Sequence, residues 1–384
     1  MNKTNKIIKD FMKKNKIYLT IGIIVVVLII IIVIFSSLKP KGENIIKIGF
    51  MTDLSGPASA YGEEIQKGAQ LALDKINGKE NNFDLRVIFE DDRCSSSTGT
   101  TIINKLINID KVKITGGTVC SSVAMSIAPI VERNKIIHLV TGASSPELSN
   151  AGDYIFRIWP SDDFEARVLA DYATKDLGLK SVSILYVNSE FGNPLKDAFS
   201  NSFKNNGGEI ITVETYNTSE KDFKTQLSKI ALNEPEAVYI ITNPPELPII
   251  LKQIKELNIE STILSYGPVI EAKGVLESAK DNINGLYYAH PNQIDSDWFV
   301  EKYEFSYSIK PGLGASVGYD TLMLLYMAID SCQSDNTNCI KDYLYSVQSY
   351  KGASGRISFD ENGDVFIPFL IKQIENNKPV IIKK

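Results

Sequence analysis

Two adjacent serines, Ser121 and Ser122, stand where a buried strand is predicted to give way to a helix. The stretch Ile114–Ser122 reads I-T-G-G-T-V-C-S-S, and from Val123 onward the apolar residues recur at helical spacing. The first turn of a helix has free backbone N–H groups, and serine hydroxyls beside it add further donors. This pattern predicts an anion site at the start of the helix, although an ordinary helix cap has the same pattern.

Other polar, glycine-rich stretches follow further predicted strands. In the first half of the chain they read T-D-L-S-G-P-A-S-A-Y and T-G-A-S-S-P; in the second half they read V-N-S-E-F-G, I-T-N-P-P-E and S-Y-G-P. In open parallel sheets, ligands bind outside the carboxyl ends of the strands. These loops are therefore predicted to form a site that is rich in hydrogen-bond donors and has no strong nucleophile–base set.

Catalytic and metal-binding alternatives are poorly supported. Gly314–Gly318 spells G-x-S-x-G, but a hydrolase needs a buried strand before this turn and a histidine after the serine, whereas both His138 and His290 come earlier. The chain has no C-x-x-C and only two histidines, so we expect no metal site, and we expect no cofactor. The acid pairs Asp91–Asp92 and Asp162–Asp163 are interpreted as solvated loop or cap residues. We predict that the protein is not an enzyme.

Strand and helix patterns alternate along residues 45–158 and again along residues 159–289. This rhythm predicts an α/β protein with two doubly wound parallel-sheet lobes and a ligand cleft between them. Within the second set, one helix is predicted near Ile270–Lys280. After His290 the pattern is mostly helical, and short strands end the chain. The predicted lobes are residues 45–158 plus 290–365 and residues 159–289 plus 366–384.

The N-terminus combines a basic segment, an apolar run and a linker. Residues 1–16 hold six lysines, residues 17–35 are apolar over a length that spans a ~30 Å hydrocarbon core, and residues 36–44 are a polar linker. The lysines favour a cytoplasmic N-terminus and an exported body. A cleaved signal peptide usually has a shorter apolar region and a small-residue cleavage site, so an uncleaved signal anchor is favoured. The predicted location is the cell membrane, single-pass, with the body outside.

Charge and cysteine content fit an exported body. The net charge of −5 becomes −12 when the eight lysines and one acid of residues 1–41 are left out, which argues against nucleic-acid binding. Four cysteines allow three pairings. The short spacing of Cys332 and Cys339 suits a local bridge, which would leave Cys94 with Cys120. Loop-closure entropy assigns these two bridges about 2.5 and about 3.5 kcal/mol, respectively.

A series of motifs runs through residues 45–384: I-K-I-G-F-M-T-D-L-S-G-P-A-S-A-Y-G, E-D-D-R-C, V-C-S-S, T-G-A-S-S-P-E-L, F-R-I-W-P-S-D and G-R-I-S-F-D-E-N-G-D. Together they resemble the type 1 periplasmic binding proteins of the leucine/isoleucine/valine class, which are substrate-binding components of ABC importers. The resemblance implies the Cys94–Cys120 disulfide and a membrane permease as partner. It also implies hinge closure about three crossover strands, near Ile158, Ala289 and Phe366.

Carried over residue by residue, the resemblance implies a cradle for a ligand carboxylate at Ser121, Ala143 and Ser144. The hydroxyls of Ser121 and Ser144 would donate to the carboxylate, together with the helix N-terminus at Ser121. The backbones of Ala143 and Ser144 would complete the cradle. Tyr61 and Phe191 fall where aromatic rings pack on the ligand.

The second lobe departs from the family pattern. A tyrosine of the branched-chain binders is absent near Asn243, and their ammonium-binding glutamate would fall at about Gly267, beside Tyr266, where no acid stands. A buried ammonium needs an anionic partner, and Glu271 and Glu246 are the candidates. We therefore expect a small carboxylate-bearing ligand, an amino acid or a related compound, with Asn243, Tyr266 and Gly267 on the second side of the cleft. Ligand sensing through a partner membrane protein is the alternative to import.

Overall fold

The computed structural model describes residues 45–78, 82–292 and 295–383. Residue contacts divide the chain into one unit of Ile46–Asn81 with Leu85–Lys384 and another of Met1–Ile45 with Asn82–Asp84. The features described below belong to the first of these units, apart from Ile45 and Asp84, which are the first residues of two strands. The predicted anchor and its flanks, residues 1–44, lie outside the described residues. None of the helices in the described ranges has the length and apolarity that crossing a bilayer requires.

The first sheet has five strands in the order β2-β1-β3-β4-β5. The pairs β1–β3, β3–β4 and β4–β5 are parallel, as the alternating pattern predicts. β3 and β4 are buried along their whole length, in keeping with their mainly apolar or small residues, I-T-G-G and I-H-L-V; the exception is the buried His138. The strands are β1 (Ile45–Thr52), β2 (Asp84–Asp91), β3 (Ile114–Gly117), β4 (Ile137–Val140) and β5 (Ile155–Arg157).

Helices from two separate parts of the chain surround this sheet. Three lie between its strands, and three more come from residues 297–345, much later in the chain. In that later group α11 packs against α1 and β3. Gly68 on α1 and Gly318 on α11 allow this close approach, because a Cβ at either position would lie about 2 Å from a backbone oxygen of the other helix. The helices are α1 (Ser59–Asn77), α2 (Ser96–Asn108), α3 (Ser121–Arg133), α10 (Asp297–Tyr307), α11 (Ala315–Cys332) and α12 (Thr337–Tyr345).

The second sheet has seven strands in the order β14-β13-β10-β9-β8-β6-β7. Five are parallel, as the strand–helix alternation predicts, and β13 runs antiparallel to both β10 and β14. Asn376 and Asn377, both with positive φ, form the tight turn that joins β13 to β14. The strands are β6 (Ser181–Val187), β7 (Glu209–Tyr216), β8 (Ala237–Ile241), β9 (Thr262–Tyr266), β10 (Tyr287–Pro291), β13 (Phe369–Glu375) and β14 (Lys378–Lys383). A separate hairpin pairs β11 (Tyr350–Lys351) with β12 (Arg356–Ile357).

The helix predicted near Ile270–Lys280 is interrupted. Two short helices replace it, because Ala272 is extended and Gly274 adopts the left-handed conformation, with φ of 82°. Ile270 and Val275, one on each short helix, are both buried in the apolar core of the second sheet. The helices of this second part are α4 (Asp162–Lys175), α5 (Gly192–Asn205), α6 (Lys224–Ala231), α7 (Leu247–Glu256), α8 (Gly267–Glu271) and α9 (Val275–Ala279).

The strand order of each sheet fixes where a ligand site can form. The order reverses between β1 and β3 in the first sheet and between β6 and β8 in the second. At such a point the connections leave in opposite directions, and a crevice opens outside the carboxyl ends of the strands. The loops after these four strands are among those predicted from the sequence to hold the site.

Candidate functional site

A cavity of about 550 Å³ lies between loops of the two sheets. This volume is in the range of small-molecule sites, about 300–1,000 Å³. Most of its walls come from residues just beyond the carboxyl ends of β1, β3 and β4 on one side and β6, β8 and β9 on the other. Its lining includes Tyr61, Arg93, Ser121, Ser122, Ser144, Trp159, Asn188, Glu190, Phe191, Thr242, Asn243, Tyr266 and Gly314.

The N-terminus of α3 opens onto this cavity. Cys120 is the N-cap residue, so Ser121 and Ser122 occupy the first turn, one position later than the cap role predicted from the sequence. The Ser121 hydroxyl accepts a hydrogen bond from the backbone N–H of Ser145, at 3.2 Å. Among the described residues no acceptor takes the hydrogen of that hydroxyl, so it is available to an anion in the cavity.

The turn that precedes α3 is built from unusual backbone conformations. Gly117 has φ of 99°, and a Cβ there would lie 1.9 Å from the carbonyl oxygen of Met51. Thr118 also has positive φ, which is strained for a β-branched residue. The buried His138 ring lies 3.1 Å from the Thr118 hydroxyl, and burial lowers the pKa of His138 to about 4. A neutral histidine therefore supports the turn that positions Ser121.

The loop after β4 supplies the second half of the predicted cradle. Ala143 and Ser144 are buried, and their backbone N–H groups have no acceptor among the described residues. Ser145, the next residue, is fixed on both sides. Its backbone N–H donates to the Ser121 hydroxyl, and its carbonyl oxygen accepts from Arg157 at 2.7 Å. Arg157 is itself buried and forms two hydrogen bonds to Asp364, at 2.9 and 2.7 Å. The ion pair of the buried Arg157 with Asp364 thus holds in place the loop that carries the free N–H groups of Ala143 and Ser144.

A disulfide joins Cys94 to Cys120, and a second joins Cys332 to Cys339, so both predicted pairings are confirmed. The first bridge ties the loop after β2 to the N-cap of α3, beside the cavity. Among the described residues the one cluster with metal-ligand spacing is Asp53 with Cys94 and Cys120, whose sulfurs are already bonded to each other. The bridge therefore positions the cradle and leaves no thiolate to bind a metal.

The side chain of Ser144 has a partner that the sequence did not reveal. Its hydroxyl donates to Asp162, at 2.6 Å, and lies 3.4 Å from the hydroxyl of Tyr266. The interpretation of the Asp162–Asp163 pair as solvated is wrong for Asp162, which is 1% exposed at the start of α4. Asp92 of the other pair is likewise buried. In this arrangement the Ser144 hydrogen is directed at Asp162 and away from the predicted carboxylate position.

Aromatic rings enclose the middle of the cavity. Tyr61 comes from α1, Trp159 from the segment after β5, and Phe191 packs on Tyr266 with ring centroids 4.8 Å apart. The buried hydroxyl oxygen of Tyr61 has no hydrogen-bond partner. Burial, with the carboxylates of Glu165 and Glu271 nearby, raises its pKa, so the phenol stays protonated and remains a donor.

The second wall of the cavity is polar but neutral. Asn243 and Thr242 are held by the Glu246 carboxylate, each 3.2 Å from it. Glu246 also accepts hydrogen bonds from the Tyr216 hydroxyl and the Ser219 backbone. It is buried and does not line the cavity. Glu246 therefore positions this wall and is not placed to meet a ligand ammonium group.

The other candidate acid is also engaged elsewhere. Glu271 lies 2.6 Å from the Lys372 ammonium group and accepts a hydrogen bond from Tyr288. Gly267 does not line the cavity, and a Cβ there would lie 2.0 Å from the Ala289 carbonyl oxygen, so a side chain at this position is excluded. Among the described lining residues, the fully charged side chains are Arg93 and Glu190, both exposed.

The structure thus brings together most of the predicted site residues and adds others. Ser121, Ser122, Ser144, Tyr61, Phe191, Asn243 and Tyr266 line the cavity. Ala143 adjoins it through its backbone, while Gly267 lies outside. Trp159, Asn188 and Thr242 also line the cavity. They were not predicted as site residues, although the motifs F-R-I-W-P, V-N-S-E and I-T-N-P contain them. Gly314 also contributes to the wall, and Ser316 of G-x-S-x-G lies within α11, where its hydroxyl donates to Asp295.

Two α/β sheets with a cavity between their strand-end loops are the architecture of a type 1 solute-binding protein. The chain belongs to the periplasmic binding protein family, which matches residues 45–378.

The chain is similar in sequence to amino-acid-binding proteins, and its fold is similar to that of a protein solved with an aromatic acid. A leucine-, isoleucine-, valine-, threonine- and alanine-binding protein of Pseudomonas aeruginosa is 23% identical, over 83% of this chain and 87% of its own length. A leucine-binding protein of Thermotoga maritima superposes with a TM-score of 0.81 at 26% identity, covering 88% and 97% of the two chains. An ABC-transporter solute-binding protein of R. palustris in complex with benzoate superposes with a TM-score of 0.80 at 22% identity, covering 89% of this chain and 96% of its own. This match shows likeness of fold.

Proposed function

We propose that this protein is the substrate-binding component of an ABC importer and captures a small carboxylate ligand in the cavity. The observation that carries the proposal is the convergence of free donors on one wall. The backbone N–H groups of Ser121 and Ser122 at the start of α3, the Ser121 hydroxyl and the N–H groups of Ala143 and Ser144 all lack acceptors among the described residues. An anion satisfies such donors, and the positive end of the helix dipole favours it further.

The rest of the cavity suits an apolar ligand body. Tyr61, Trp159 and Phe191 offer ring surfaces, and the opposite wall offers neutral groups such as Asn243. A ligand ammonium group would find one acidic side chain among the lining residues, the exposed Glu190. We therefore propose a carboxylate with an apolar or aromatic body, a description that covers hydrophobic amino acids and aromatic acids. The relatives that bind leucine and benzoate support this range.

Capture by hinge closure is part of the proposal. The predicted lobes, residues 45–158 plus 290–365 and residues 159–289 plus 366–384, would close about the crossovers near Ile158, Ala289 and Phe366. Polar contacts between the two predicted lobes in the present arrangement include Ser144 to Tyr266 at 3.4 Å and Lys273 to the buried Glu64 at 3.6 Å. Closure expels water from the cavity, which strengthens its hydrogen bonds. The closed form would then dock on a membrane permease.

We also propose the membrane location given by the sequence. Residues 17–35 would anchor the chain, with residues 1–16 in the cytoplasm and the binding body outside. Extraction of membranes with alkaline carbonate tests the anchor. The chain should stay with the membrane pellet, and its full release would rule the anchor out.

The binding proposal is tested by thermal stability of the full-length chain with leucine, isoleucine, alanine and benzoate. A ligand at 100 times its Kd stabilises the folded state by about 2.7 kcal/mol. At least one of the four should raise the melting temperature. Ser121→Ala should weaken that effect, while Ser126→Ala, a change on the same helix away from the cavity, should not. If uncharged solutes stabilise the protein and these carboxylates do not, the proposal is wrong.

A further inference from the structure

Ser144 and Asp162 form a linked pair at the edge of the cavity. Ser144 lines the cavity, whereas Asp162 lies behind it and is 1% exposed. The hydroxyl donates to Asp162 Oδ2 at 2.6 Å, so its single hydrogen is committed to an ionised Asp162. The Ser144 backbone carbonyl also accepts from the backbone N–H of Asp162, at 3.0 Å, which fixes the two residues against each other. Ser144 thus separates the ligand position from a buried carboxylate.

The surroundings of Asp162 leave that carboxylate without a direct cationic partner. Arg157 of β5 acts on it electrostatically, but the hydrogen bonds of the Arg157 guanidinium go to Asp364, Ser149 and Ser145. Burial is the largest influence and raises the pKa of Asp162 to about 7, against the lowering by Ser144, Tyr266 and Arg157. The titratable or charged groups that face Asp162 are Arg157 of β5, Tyr266 of β9, Tyr239 of β8, and Asp163 and Glu165 of its own helix.

An anionic ligand in the cradle conflicts with this arrangement. The ligand carboxylate and an ionised Asp162 would flank one hydroxyl, which can donate to only one of them. Two carboxylates that share a site cannot both remain ionised cheaply, so one takes up a proton. The ligand is the stronger acid of the two, because ordinary carboxyl groups ionise near pH 4.

We propose that binding of the carboxylate ligand is coupled to uptake of one proton by Asp162, with Ser144 as the relay. This inference rests on the proposed function. A proton from solvent joins Asp162 Oδ2, and the new O–H donates to the Ser144 oxygen. The Ser144 hydroxyl then rotates its own hydrogen toward the ligand carboxylate. No covalent bond other than this O–H forms, and none breaks within the protein. Asp162 is a positioning residue, since it acts on the ligand through Ser144.

The coupling has a definite sign. Well below pH 7 Asp162 is already protonated in the free protein, so affinity should not change with pH there. Above pH 7 each binding event must draw a proton from solvent, and affinity should fall by up to about tenfold per pH unit. The ligand carboxyl stays ionised throughout pH 5.5–8.5 and adds no slope of its own.

Calorimetry of the full-length chain tests the coupling, with the tightest-binding of leucine, isoleucine, alanine and benzoate as the probe. Titrations at pH 8 in phosphate and in Tris, whose ionisation heats differ, should report uptake of nearly one proton. Asp162→Asn presents an amide N–H to the Ser144 oxygen and so mimics the protonated acid. This variant should bind with no proton uptake and should lose the pH dependence. The matched Asp163→Asn variant, which changes a neighbouring acid that has no contact with Ser144, should keep the wild-type profile.

Ser144→Ala supplies an independent check that does not depend on Asp162→Asn folding. It should bind about tenfold more weakly than wild type at pH 6, where the wild-type hydroxyl gains a charged acceptor when the ligand binds. At pH 8.5 the two proteins should bind nearly equally, because in the free wild-type protein the hydroxyl already donates to ionised Asp162 and binding only exchanges one charged acceptor for another. Equal wild-type affinity at pH 6 and 8.5 with no proton uptake would overturn the coupling and leave the proposed function standing. Failure of all four carboxylates to bind at pH 6 would instead overturn the proposed function and this inference with it.

Discussion

The two disulfides should differ in what they contribute to binding, although both stabilise the fold. Replacing Cys94 and Cys120 with alanine opens a bridge between residues 26 apart in sequence; replacing Cys332 and Cys339 opens one between residues 7 apart. Loop-closure entropy gives losses of about 3.5 and about 2.5 kcal/mol in the free energy of unfolding. Urea denaturation of the two double variants measures this difference.

Ligand affinity separates the two bridges more sharply. The Cys94–Cys120 bridge fixes the N-cap of α3, and the Ser122 hydroxyl lies 3.4 Å from the Cys94 carbonyl oxygen. Without the bridge, binding must order this corner, and fixing one backbone residue costs about 1–2 kcal/mol. We therefore expect the first double variant to bind about five- to thirtyfold more weakly in calorimetry. The second double variant serves as the control and should bind normally, since neither of its cysteines lines the cavity.

An equal effect of the two double variants on ligand affinity would contradict this prediction. If both variants lose affinity to the same extent, the loss reflects general destabilisation. If the first variant is less stable and still binds like wild type, the N-terminus of α3 does not need the bridge to hold the ligand.

Three further substitutions test the cradle at Ser121, the Arg157–Asp364 ion pair and the close contact between α1 and α11. Ser121→Ala should weaken carboxylate binding by about 1–2 kcal/mol in calorimetry, because one hydrogen bond to a charged group is lost; unchanged affinity would count against the cradle. Asp364→Asn should lower the free energy of unfolding by about 3–5 kcal/mol, since it removes the anionic partner of the buried Arg157, and a loss below 1 kcal/mol would contradict this. Gly68→Ala should destabilise the fold by about 1–3 kcal/mol or more, because its Cβ would lie 1.7 Å from the Ala315 carbonyl oxygen; an unchanged urea midpoint would show that the helices can separate at no cost.

The strand–helix alternation was predictable because each element carries its own periodicity. β6 and β8, for example, are short, mainly apolar runs between polar loops, so their own sequences mark them as strands. The antiparallel placement of β13 was not predictable, because the partner of a strand is set by contacts distant in sequence. The break at Gly274 within the predicted helix had a local signal, a lone glycine, but its left-handed conformation depends on the packing of both short helices.

In the candidate site, too, features with a local sequence signal were predictable and features set by distant contacts were not. The loops that line the cavity were predicted from their hydroxyl and glycine content at strand ends, and the cradle residues followed from the resemblance. The roles of Asp162, Glu246 and Glu271 could not be read from the sequence, because each depends on partners in other elements: Ser144, Asn243 and Lys372. A buried acid and a solvated one look alike in the sequence, so burial had to come from the fold.

A matched pair of ligands tests whether the α3 cradle binds a carboxylate. The full-length chain would be titrated by calorimetry with the tightest-binding carboxylate and with its carboxamide, for example benzoate and benzamide or leucine and leucinamide. The two members of a pair have nearly the same shape and differ in the charge that the cradle should recognise. We expect the carboxylate to bind at least tenfold more tightly than the amide, and Ser121→Ala to reduce this preference. Equal binding of the two would show that the donors around Ser121 do not recognise an anion.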